Sequence, residues 1–143
     1  MMTSEQFEAA LAAQIKAVKP RLEIGLDKVG ELASTMAVHY LGTYQEGWAS
    51  LKPETIASKA TGDSPLRETG HMRDTISHHV NPLSPVMEVV VGSTDKKAVW
   101  QEKGTSRIPP RPFLSLAMKH ALPFAGQTFG EIAMKILKVE KFL

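Results

Sequence analysis

The sequence predicts an α+β fold in a single domain, with helices at both termini packed on a small central antiparallel β-sheet. Three observations lead there. Apolar residues recur every three or four positions over the first third of the chain and again at its end, which is the period of one helical face. A central run, VMEVVVGS, is β-branched and bounded by Pro85 and Gly92, as a strand should be. The length, 143 residues, suits one compact unit with its own core. The expected organisation is a helical part over residues 1–46, an α+β core over 47–117 and a C-terminal helix over 118–143.

Taken in order, Phe7, Leu11, Ile15 and Val18 mark a first helix from Ser4, its natural N-cap, to about Lys19. Pro20 lacks a backbone donor and disfavours helical geometry before it, so the helix should end or kink there. A second helix follows at once, with Leu22, Leu26, Val29, Leu32, Met36 and Tyr40 carrying the stripe to about Tyr44 and Gly25 and Gly30 as its weak points. Gly47, Pro53, Gly62 and Pro65 then break the rhythm and leave room for a short helix over Pro53–Lys59. One more helical turn fits before Thr75–Val80, which reads as a strand. NPLSP is a turn, and VMEVVVGS closes an antiparallel hairpin with a loop longer than two residues. Ser93 or Thr94 can cap the short helix DKKAVWQEK, which Gly104 ends as a left-handed residue. Phe113, Leu114, Ala117, Met118 and Ala121 begin a last helix, kinked or broken at Pro123 and resumed by Phe129, Ile132, Ile136 and Val139.

Composition narrows the functional classes. With 43% hydrophobic and 22% charged residues the chain is neither disordered nor membrane-resident, and no apolar run reaches bilayer length. The N-terminus shows helical spacing rather than a secretory leader, so the protein is expected to stay where it is made. The absence of cysteine excludes disulfides, thiolate nucleophiles and thiolate metal sites. A formal charge of +2 is below what a dedicated nucleic-acid binder carries.

The candidate sites for chemistry are thin. His71, His78 and His79 are close in sequence, but on a strand His78 and His79 point to opposite faces and no metal-ligand spacing is present, so neither a metal nor another cofactor is expected. GTS and GDS supply neither an activating base nor an oxyanion site, and Glu68 and Asp74 read as surface charges; no catalytic residue is assigned. Lys52, Lys59, Arg67 and Arg73 form one basic stretch, and Lys96, Lys97, Lys103, Arg107 and Arg111 another. Interspersed acids blunt both, which allows backbone attraction to DNA but argues against sequence-directed binding.

The segment from Gly104 to Leu114 is different. Pro109, Pro110 and Pro112 restrict its backbone in advance, so ordering it against a neighbour costs less entropy than ordering a flexible loop. Phe113 and Leu114 supply apolar anchors and Arg111 a planar fork for a carboxylate. The partner interface expected from these residues comprises Glu102, Gly104, Thr105, Arg107, Pro109, Pro110, Arg111, Pro112, Phe113 and Leu114, together with Trp48, and it includes a Glu102–Arg111 charge pair. The competing expectation is a strap pinned within its own fold, with Trp48 as a core lid.

Four stretches in order, GWASLKPETIASK, SPLRETGHMRDTI, VVVGSTDKKAVWQEKGT and IPPRPFL, resemble the tail-completion and head-to-tail joining proteins of tailed bacteriophages, of the minor-tail or Mu-like virion-morphogenesis type. The likeness covers Trp48–Ala117. Its residues are Trp48, Leu51, Thr55 and Lys59, then Pro65, Leu66, Thr69, Gly70, Met72 and Arg73, then Gly92, Ser93, Ala98, Glu102, Gly104 and Thr105, and finally Pro109, Arg111, Pro112 and Phe113. Lys103 departs from the aromatic or apolar residue usual before the Gly-Thr pair. The resemblance implies a non-enzymatic structural subunit of a phage or prophage virion, located in the neck or tail and in the host cytoplasm during assembly. It also implies a homo-oligomeric ring, with a hexamer among the expected sizes, that contacts other neck or tail proteins and tolerates passing DNA. The rival class is a small DNA-associated module.

Overall fold

The computed structural model describes residues 1–82 and 87–137. The elements run α1 (Ser4–Tyr40), α2 (Pro53–Ser58), α3 (His71–Asp74), β1 (Ile76–Asn81), β2 (Glu88–Ser93), α4 (Lys96–Lys103) and α5 (Leu114–Leu137). The fold is the α+β arrangement expected from the sequence, two long terminal helices with a two-stranded antiparallel sheet between them in the chain.

α1 departs from the expectation of two helices: it is one helix of 37 residues that passes through Pro20. Proline forfeits one backbone bond and crowds the preceding turn. Lys16, whose carbonyl loses its donor, is exposed, so water can satisfy it, while the helix beyond Gly25 is held by packing. The N-cap is Thr3, not Ser4. Thr3 Oγ1 accepts the Gln6 N–H at 3.2 Å and Gln6 Oε1 accepts the Thr3 N–H at 3.0 Å, a reciprocal box that needs the Gln three residues on. α1 stops at Tyr40 rather than Tyr44, because Leu41 turns extended and Gly42, at φ +96°, donates its N–H to the Pro65 carbonyl.

α5 likewise continues through Pro123, which is exposed, and packs antiparallel along α1. Gly25 of α1 faces Phe129 and Ile132, while Ala33 and Ala121 share one core cluster and Ala37 and Ala117 another. The sheet lies on α1 at Gly30, where a Cβ would stand 2.6 Å from the His78 ring and 2.7 Å from Val89 Cγ2. Gly25 and Gly30, read as weak points of the helix, are the places where a second helix and the sheet approach its backbone.

The hairpin pairs Ile76 with Ser93 through Asn81 with Glu88, one residue later than expected at its start, since Thr75 caps α3. His78 is half-buried against α1 and His79 is exposed, the opposed orientation expected of neighbours on a strand. Most of the NPLSP turn, the start of the VMEVVVGS strand at Val86 and the helical position assigned to Val139 lie outside the described residues. α4 is capped by Asp95, whose Oδ1 accepts the Lys97 N–H at 2.9 Å, rather than by Ser93 or Thr94; Ser93 Oγ accepts the Asp95 N–H one step earlier.

Candidate docking site

The proline segment joins α4 to α5 and is tied to the rest of the fold at both ends. Gly104 has φ +74° and ψ 170°, not the left-handed helical conformation expected at a helix end. That region of backbone space belongs almost solely to glycine. A Cβ here would also stand 2.8 Å from Pro110 N and 3.0 Å from the Ile108 carbonyl, so the strap doubles back directly over Gly104. Thr105 closes the turn: its N–H donates to Ile108 O at 2.8 Å, and its Oγ1 accepts the N–H groups of Arg107 and Ile108.

Past the turn the chain is clamped. The Arg111 N–H donates to Gln101 O at 2.7 Å, while the guanidinium donates to Ala49 O through Nε and Nη2 at 3.1 and 2.8 Å, and to Ser50 O at 3.4 Å. Trp48 returns the contact, its Nε1–H donating to Pro112 O at 3.3 Å. The charge pair expected between Glu102 and Arg111 does not form. Glu102 instead caps α5: Oε2 accepts the N–H of Phe113 at 2.8 Å and of Leu114 at 2.9 Å, and Oε1 accepts the N–H of Ser115 at 2.9 Å and its hydroxyl. A helix N-terminus offers several unpaired donors and partial positive charge, and these hold the Glu102 carboxylate in place of the Arg111 guanidinium.

This changes the roles of the anchors. Phe113 is 0% exposed, Arg111 5% and Trp48 9%, so all three are held inside the molecule and none is presented to a partner as the sequence suggested. Phe113 and Trp48 belong to the core cluster with Ala37, Leu41, Met72, Ala98 and Ala117. Gly104, Pro112 and Leu114 are half-buried. The strap residues left facing solvent are Thr105, Ser106, Arg107, Pro109 and Pro110.

Beneath the strap lies an open cleft of about 680 Å³ between Arg107–Arg111 and the loops after α1 and α2. Seven Lys and Arg residues line it against two carboxylates, Glu68 and Asp95. Lys59 donates from Nζ to the Ser64 carbonyl, and burial, with a smaller contribution from Arg111, holds its ammonium pKa below the usual lysine value despite the opposing pull of Glu68. Asp95 is pushed below the ordinary carboxylate range, first by the Lys97 N–H and then by His71 at 3.1 Å. The wall also contains Leu66 at φ +60°, a left-handed backbone that costs a non-glycine residue about 1–2 kcal/mol. Leu66 is held there by fully buried Pro65 before it and by its own packing on the core.

Sequence reasoning missed the acceptors of Arg111, because the Ala49 and Ser50 carbonyls are backbone groups that any residue would supply. It missed Gln101 for the same reason. Glu102 was identified as important but given the wrong partner; an acid twelve residues ahead of a helix start has no local signature as a cap. Among the described residues no three metal-ligating side chains converge. His71 pairs with Asp95, His78 with Asp27 at 2.8 Å, and His120 with the Tyr40 hydroxyl, each in a different part of the fold. Glu68 and Asp74 are both exposed. No helix among the described residues is long and apolar enough to cross a membrane.

No family model matches this chain, and neither a curated protein nor a solved structure does.

Proposed function

We propose that this protein is a non-enzymatic structural subunit of a tailed-bacteriophage or prophage particle, a tail-completion or head-to-tail joining protein that assembles into a ring at the neck or tail end. One observation carries the reading. The first and last of the four stretches behind the resemblance lie about 60 residues apart, yet all four are bonded into one strap-and-cleft unit, with Trp48 on Pro112, Arg111 on Ala49, Lys59 on Ser64, His71 on Asp95 and Glu102 on the α5 N-terminus. A ring needs one patch of a subunit to meet a different patch of the next. A strap fixed from behind by Arg111 and Phe113 presents Arg107, Pro109 and Pro110 in a set conformation, which lowers the ordering cost of that contact. The docking surface is therefore the exposed apex, and the buried residues are its support. The other neck or tail proteins are the remaining partners of such a ring.

The test is electron microscopy and sedimentation of the purified chain, alone and with tail tubes of its own phage. Rings of one diameter are expected, and Arg107→Glu with Pro109→Gly should abolish them while the circular dichroism spectrum is kept. A chain that stays monomeric in both settings overturns the reading.

The basic lining of the cleft favours one second reading, a DNA-associated module. It requires duplex binding that weakens steeply with salt, because each phosphate contact releases a counterion.

A further inference from the structure

The N-terminal half of α1 carries a surface that no other described residue covers. Phe7, Leu11 and Ile15 are 44%, 44% and 65% exposed. At about 100° per residue they continue the face that further along holds Gly25, Val29 and Ala33 against α5. The arm is a well-made helix all the same, closed by its capping box and rich in alanine at residues 9, 10, 12, 13 and 17.

Four charges flank that stripe. Glu5, Glu8, Lys16 and Lys19 fall on the same side of it, all are exposed, and none forms an ion pair among the described residues. Within the helix the residues three and four positions from Glu5 and Glu8 include no lysine or arginine, so these acids have no basic side chain of their own arm to pair with. The acids sit toward one end of the arm and the lysines toward the other.

We propose that the α1 arms of two copies of this chain pair face to face and antiparallel. Pairing centred on Leu11 sets it against Leu11 of the second copy and sets each Phe7 against the other copy's Ile15. Like flanks meet in an antiparallel helix pair, so Glu5 and Glu8 come beside Lys19 and Lys16 of the second copy, twice over by the two-fold symmetry. A parallel pair brings opposite flanks together and sets Lys19 near Arg21, with nothing basic facing the acids. Antiparallel macrodipoles add to the preference. Three large apolar residues per copy fall short of the area of a tight complex, so the dimer is weak and concentration-dependent. This pairing uses a different surface from the strap and does not rest on the neck reading.

The chain has no cysteine, so single cysteines report the geometry directly. Under mild oxidation Leu11→Cys should cross-link to itself. Phe7→Cys should not, but should cross-link when mixed with Ile15→Cys; self-linking of Phe7→Cys would show a parallel pair and overturn the proposal. In sedimentation velocity the unaltered chain should shift toward dimer as concentration rises. Glu5→Lys with Glu8→Lys, and separately Lys16→Glu with Lys19→Glu, should each weaken association by at least about tenfold, since opposed pairs become like-charge pairs. An equal mixture of the two variants should restore it. Dimers that survive both reversals, or a chain monomeric at every concentration, defeat the idea. A chain cut after Leu137 that dimerises while the full chain does not would assign the stripe to residues 138–143 and likewise overturn it.

Discussion

The two halves of α1 use one stripe in opposite ways. From Gly25 to Ala37 the residues α1 buries are small, Gly25, Val29, Gly30, Ala33 and Ala37, with Leu32 and Met36 half-buried beside them. From Phe7 to Ile15 the stripe is built of large residues, and all of them are exposed. Hydrophobicity alone would rank the arm as the core and the glycine-alanine half as the weaker helix. The reverse holds because close packing is set by how near backbones can come, and small residues let α5 and the sheet sit directly on the helix. The larger residues of the arm lie where no layer among the described residues covers them.

The largest blow to the packed half comes from across the interface. Phe113 is fully buried in the cluster that contains Ala37 and Ala117, and small neighbours cannot collapse into the space a ring leaves. Phe113→Ala should cost about 3–5 kcal/mol, read as a lowered denaturation midpoint. It removes the anchor behind the strap as well, so any ring should be lost with it. A variant that keeps its midpoint would show that the two helices do not rely on this contact.

Next in size is a contrast between two glycines on the same helix. At Gly30 a new side chain meets the His78 ring at 2.6 Å and Val89 at 2.7 Å, both held in the sheet. Gly30→Val should therefore destabilise by about 1–3 kcal/mol through overpacking. At Gly25 the nearest atom is Ile132 Cδ1 at 2.8 Å, the free end of a flexible chain that can turn aside. There Gly25→Ala gains up to about 1 kcal/mol of helix propensity and loses a comparable amount to crowding, so its melting temperature should barely move. Equal effects at both positions would mean that the sheet yields as easily as the helix.

Much of this architecture was legible in the sequence, and the parts that were not share a cause. Periodicity found both long helices, β-branching found the hairpin, and Pro53 and Gly104 marked real boundaries, because each of those signals is local. Pro20 and Pro123 misled because the cost of an interior proline is also local, whereas the packing that outweighs it comes from the other long helix. At the docking site the strap itself was visible as three prolines. Its wiring was not: Arg111 reaches carbonyls 61 and 62 residues away, and Glu102 caps a helix that starts beyond the strap. Distant backbone acceptors leave no mark on the residues that supply them, and the direction of the error followed from that. An arginine and a phenylalanine at the end of a stiff segment look like bait for a partner until something within the chain is seen to hold them.

The smallest expected effect on overall stability lies in the arm, and it separates the two halves most cleanly. Proline in a helix interior is about 3 kcal/mol less favourable than alanine. If the arm and the packed half melted as one unit, Pro20→Ala would raise the global midpoint by much of that amount. The arm is bound to nothing beyond its own helix among the described residues, and local helix can fray without opening the core. Pro20→Ala should therefore slow amide hydrogen exchange over residues 5–19 by about tenfold or more while shifting the global midpoint by less than about 0.5 kcal/mol. Leu11→Ala should likewise leave the midpoint within that limit at concentrations where the chain is monomeric. A large rise in the midpoint on Pro20→Ala would join the halves into one cooperative helix, and the exposed stripe would then be part of the same folding unit as the buried one.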